Sequence, residues 1–126
     1  MISAFVHTNI EMILLLTGIP TAGMLGMFIA PRLVLRLAVG VEPGDHVGVF
    51  FARGWGAVVG AIGLLLIAAA SMPGLRETIM AAASFTKGSF VVMIAANLGN
   101  ALGRGLILVL IFDAVCVILY IAYLLG

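Results

Sequence analysis

Residues 47–70 read VGVFFARGWGAVVGAIGLLLIAAA, an apolar run interrupted by one charge, Arg53. An α-helix needs about 20 such residues to cross a hydrocarbon core of about 30 Å, so the stretch is a membrane span. It carries a second signal. Arg53, Gly56, Ala57, Gly60 and Gly63 recur at helical spacing on one face, and Gly56 and Gly60 form a GxxxG pair. In lipid no hydrophobic force draws helices together, and small residues promote association by letting backbones approach closely. The run therefore predicts a crossing and a packing partner.

The first apolar stretch supplies that partner. Ile10–Ala30 is long enough to span, and Glu11, Gly18, Ala22 and Gly26 form a similar stripe along it. Each stripe starts with a charge, which predicts that Glu11 and Arg53 point into the bundle. Two further spans follow, Thr78–Asn97 and Leu106–Leu125. The chain is 64% hydrophobic and 9% charged, against about 45–50% and 25% for a soluble domain, which makes the protein a membrane protein. Almost no chain is left outside the spans. The fold class is all-α: a single domain, residues 1–126, forming an antiparallel four-helix transmembrane bundle.

The connections are marked by turn residues. Pro31 closes the first span, Glu42-Pro43-Gly44-Asp45 makes a turn with Asp45 placed to cap the second, Pro73-Gly74 breaks the middle, and residues 98–103 make the last reversal. Within PRLVLRLAVG, residues 31–40, Arg32 and Arg36 lie one turn apart with leucines and valines opposite. This predicts a short interfacial helix in the first loop, with both arginines toward lipid headgroups.

Basic residues set the orientation. Arg32 and Arg36 lie in the first loop, Arg104 in the third and Arg53 early in the second span, whereas the middle loop has Arg76 beside Glu77. The positive-inside bias predicts both termini outside a bacterial cytoplasmic (inner) membrane. The opening residues Met1–Phe5 lack the basic residues of a signal peptide, so the first helix is read as retained.

Two charges lie deep in the spans. Lys87 precedes Asn100 by as many residues as Asp113 follows it, so a hairpin centred there sets both at one depth. Either charge alone costs at least about 2.5–3.5 kcal/mol at the bilayer centre. Together they are an intramembrane ion pair, with Ser84, about one turn from Lys87, as a further acceptor. Arg53 can snorkel toward the cytoplasmic surface and reach Asp45, a phosphate, Asn97 or Asn100, and Glu11 has only Arg76 at its depth or lies near water. Trp55, Tyr120 and Tyr123 read as interfacial belt residues.

His7 and His46 fall on opposite faces and cannot share a metal, and no HExxH, CxxC, phosphate loop, serine elbow or basic-aromatic nucleic-acid surface is present. Cys116 stands alone. No catalytic set and no cofactor can be named from these residues.

The segments MFIAPRLVLRLAVG (27–40), ARGWGAVVGAIGLLL (52–66) and PGLRETIMAAASFTKGSF (73–90) resemble the DoxX-like small four-helix membrane proteins of bacteria, over about the central half of the chain. Arg53, Gly54 and Gly56 match the arginine-glycine feature that opens the second helix in that family. Asp113 has no counterpart, and no quinone-site residue carries over. The resemblance implies the same four-helix fold, and some members accompany quinone-linked redox enzymes. The expected function is an accessory or structural subunit of a larger membrane assembly, with the bilayer and other membrane subunits, or a second copy, as partners and no nucleic acid. The alternative is a small oligomeric ion- or proton-coupled transporter using Lys87, Asp113 and Glu11; a membrane redox enzyme ranks last.

Overall fold

The computed structural model describes residues 1–126. Helices α1 (Ile2–Thr8), α2 (Ile10–Ala22) and α3 (Leu25–Ile29) form the first arm, and α4 (Pro31–Val34) with a π turn over Leu35–Val39 forms the interfacial segment. The long helices α5 (His46–Ser71), α6 (Arg76–Ala95) and α8 (Ile107–Leu125) follow, with the short α7 (Ala101–Gly105) before α8. There are no strands. Four segments are long and apolar enough to cross a membrane, counting α2 and α3 as one, so the protein is a multi-pass membrane protein of helical-bundle class.

The first span is not one regular helix. Pro20 lacks the N–H that would bond the preceding turn, and beyond it the chain tightens: Met24 N bonds Thr21 O, Gly26 N bonds Gly23 O and Met27 N bonds Met24 O, each three residues back. At the other helix ends, orphan backbone groups find partners. Asp45 Oδ1 accepts from Gly48 N at 2.8 Å and Asn100 Oδ1 from Gly103 N at 3.0 Å, capping α5 and α7. Gly40 ends the π turn at φ +83°, where a side chain would be strained.

Packing follows chain order: α2 on α5, α5 on α6, α6 on α8. The first arm packs closely on α5. A Cβ at Gly56 would lie 2.6 Å from Met27 Cβ and Phe28 N of α3, and one at Gly63 would run into the Thr21–Ala22 backbone of α2. Gly18 returns the contact, facing Leu66 and Ile67. Gly60 receives the Leu25 side chain. Gly26 is a correction: a Cβ there would meet only Val34, at 3.7 Å, so it faces the interfacial segment and not α5. The charges heading the two stripes are a second correction, because Glu11 and Arg53 are both exposed. Both lie within the first two turns of their helices, where a long polar side chain can turn its head group outward while the small residues beyond it stay packed.

The ring closes through α1. Val6, fully buried, joins α8, and His7 stacks on Tyr123 at 4.3 Å, whereas α2 and α8 have at most marginal contact. The tight core, including Leu14, Leu66, Met80, Cys116 and Tyr120, lies wholly in the half that holds both termini and the α5–α6 connection. We call this the terminal half; the basic half, with the first and third loops, is more open.

Introducing bulk at the close contact should cost far more than removing it from the lipid-facing side. Gly63→Leu is expected to lower stability by about 1–3 kcal/mol or more through overpacking, while Leu65→Ala, at a residue 46% exposed, should change it by about 0.5 kcal/mol or less. Thermal unfolding of both variants in one detergent measures the difference.

Candidate functional site

Lys87 on α6 and Asp113 on α8 meet where the tight core gives way to the open half. Lys87 Nζ lies 2.8 Å from Asp113 Oδ1, and the side chains are only 4% and 9% exposed. Lys87 also donates to Thr21 Oγ1 at 3.0 Å, and the Phe112 ring covers another side of the ammonium at 4.8 Å.

Thr21 is an acceptor for a local reason. Its hydroxyl donates back to Thr17 O at 2.6 Å, leaving its lone pairs directed away from its own helix. Thr17 repeats the device one turn earlier: it donates to Ile13 O at 2.7 Å and accepts from Tyr120 OH at 2.6 Å. Two threonines one turn apart therefore bind α2 to α6 and α8 by polar bonds where α2 and α8 hardly pack. Sequence reasoning passed over both. The signal was their spacing on the face of α2 that looks across at Lys87 and Tyr120.

Ser84 does not serve the lysine; its Oγ is buried with no partner. Tyr120 is fully buried instead of sitting in an interfacial belt. Trp55, half-buried, stacks on Phe90 at 4.6 Å between α5 and α6, and its Nε1 is buried without an acceptor. Tyr123, paired with His7, lies at the terminal end.

The remaining charges serve helix ends and loops. Arg53 donates to Phe28 O at 2.9 Å, satisfying a carbonyl in the last turn of α3, and does not reach Asp45 or the asparagines. Arg32 donates to Pro43 O at 3.1 Å and Arg36 lies 3.9 Å from Glu42, so both bind the first loop to itself while staying exposed. Arg76 is buried and donates to Ala69 O at 2.9 Å and Ala70 O at 2.7 Å, closing the C-terminus of α5. Glu11, 77% exposed, lies 3.8 Å from it, a pair worth little next to those two bonds. No group of three or more His, Cys, Asp or Glu side chains is arranged to hold a metal ion.

Two cavities occupy the basic half. The deeper, about 240 Å³, has Thr21, Lys87 and Asp113 on one wall and Trp55, Phe90 and Phe112 among its other walls. The second, about 740 Å³, is mainly apolar, lies under the first loop beside Glu42 and Asn97, and shares Trp55 and Phe90 with the first. The aromatic pair thus forms the partition between an interfacial chamber and the buried ion pair.

Removing one member of the pair should strand the other. Lys87→Met or Asp113→Leu alone is expected to destabilise by about 3–5 kcal/mol, and the double variant should lose less than the two single losses summed, by a coupling of about 1–3 kcal/mol. Unfolding of the four proteins in detergent supplies the cycle; additive losses would mean that the contact carries no energy. Comparison of the chain with protein-family models, with curated proteins and with solved structures finds no match.

Proposed function

We propose that this chain is an accessory subunit of a larger bacterial cytoplasmic-membrane assembly, of bioenergetic or quinone-linked type, and that the Lys87–Asp113 cluster is a binding site within the membrane. The observation that carries this reading is the position of the pair: a buried, neutralised charge pair forms the wall of an otherwise apolar cavity of about 240 Å³. The resemblance to DoxX-like proteins points to the same kind of setting.

The geometry weighs against the alternative, an ion- or proton-coupled transporter. Beyond the pair, the terminal half is filled by Leu14, Leu66, Met80, Ala83 and Cys116, all fully buried. The hydroxyls there form no continuous chain, because Thr21 donates to the backbone carbonyl of Thr17 and not to its hydroxyl. The site opens toward one half only, which suits binding better than passage.

Purification from native membranes in mild detergent tests the proposal. Stoichiometric membrane partners and a retained small molecule are expected, with the molecule lost from the Lys87→Met/Asp113→Leu variant while the partners stay. A lone homodimer that collapses a pH gradient in vesicles would establish transport instead.

The basic half is assigned to the cytoplasmic face, from Arg32, Arg36 and Arg104. Thr8→Cys should therefore react with an impermeant maleimide in intact cells and Glu42→Cys should not; Cys116, fully buried, stays silent. The reverse pattern would invert the orientation.

A further inference from the structure

The cavity beside the ion pair carries a specific set of unused hydrogen-bonding groups. Lys87 has three N–H donors, two of them placed on Asp113 Oδ1 and Thr21 Oγ1. Asp113 has two oxygens, and only Oδ1 has a protein donor. Trp55 lends its ring to the lining, but its indole N–H is sealed from the cavity. The wall thus offers an acceptor at Asp113 and a donor in the last Lys87 proton. An unmet polar group in a low-dielectric site is costly, so the fitting occupant supplies one donor and one acceptor.

The charge of the occupant follows from the same groups. Lys87 and Asp113 already neutralise each other, and no other charged side chain lines the cavity. An anion or cation entering it would bring an uncompensated charge into hydrocarbon. Its size follows from the volume: a dry cavity of about 150 Å³ holds a benzene ring, so 240 Å³ holds one ring with a small substituent. Trp55, Phe90 and Phe112 provide aromatic surface for such a ring. The outlet is visible as well. The cavity is bounded by Pro20 of α2 and Leu108 of α8, both exposed on the surface of the bundle and Leu108 by 77%, at the seam where α2 and α8 barely touch. An apolar tail attached to the ring passes from there directly into lipid.

Resting on the binding-site reading above, we infer that the cavity takes an uncharged, ring-sized head bearing a hydroxyl group on an apolar tail, the hydroxyl donating to Asp113 and accepting from Lys87. A carbonyl would meet the donor and leave the carboxylate oxygen bare. A hydroxyl is the smallest group that meets both.

The protein carries a built-in reporter, since Trp55 is its single tryptophan. The full chain in lipid nanodiscs is titrated with 4-hexylphenol, 4-hexylanisole, hexylbenzene and 4-hexylbenzoate, compared at equal mole fraction in the bilayer, while Trp55 emission is followed. The phenol is expected to give a saturable change at least about tenfold tighter than the anisole, which keeps the acceptor and lacks the donor, because the anisole leaves the charged carboxylate oxygen without a partner. The benzoate should be weaker than the phenol. In the Lys87→Met/Asp113→Leu variant, phenol and anisole should become equivalent. If all three neutral probes saturate equally on the unaltered protein, the hydroxyl inference is overturned and a binding cavity still stands. Tightest binding of the benzoate overturns the neutrality of the occupant. Should no probe give a saturable change, the binding-site reading itself fails, and this inference with it.

Discussion

A lysine and an aspartate placed in hydrocarbon have two ways to avoid a large penalty: they meet, or they give up their charge. In this protein they meet, at 2.8 Å, and most of the arrangement around them follows. The α6–α8 hairpin has to hold its two helices in the register that brings residues 87 and 113 to one level. The ammonium then needs a further acceptor, and α2 supplies Thr21 across the bundle. A buried pair of this kind is weak as a source of net stability, since desolvation offsets most of the attraction. Its strength is as a constraint, because any other register leaves a charge alone in lipid.

Around that constraint the bundle divides into two unlike halves. In the terminal half, α1, α2, α5, α6 and α8 interlock about a continuous core. In the basic half the same helices leave two cavities, divided by Trp55 and Phe90. The kink past Pro20 contributes to this difference, since it turns α3 toward Gly56 and Gly60 of α5 while α8 is left without a facing partner on that side. Glycine contacts hold the first arm against α5, and threonine hydrogen bonds hold it against α6 and α8. The ion pair lies at the border, with packed side chains on one side and open space on the other.

Much of this was legible before any coordinates. Four apolar runs, the turn residues between them and the GxxxG face of residues 56–60 led to the membrane bundle and to the contact between the first two spans. The symmetric placement of Lys87 and Asp113 about Asn100 set them at one depth. What failed, failed for particular reasons. Glu11 and Arg53 head the small-residue stripes, yet both are exposed, because a long polar side chain near a helix start can turn outward. Residue type points Tyr120 to the membrane interface, although it is fully buried on Thr17. Arg76 read as a loop charge, yet it closes the C-terminus of α5.

The sequence by itself determined the number and length of the spans, where the chain turns, and that two opposite charges share a level, because those depend on hydropathy and on the fixed rise of a helix. It could not show which face of each helix looks at which neighbour over its whole length, since that depends on kinks, crossing geometry and the mutual fit of side chains from distant parts of the chain. It takes the assembled bundle to show that Thr21 and not Ser84 completes the lysine's coordination, that Trp55 is left with an unmet N–H, and that the pair borders a cavity. A cavity is the space several helices together fail to fill, and no single stretch of residues encodes it.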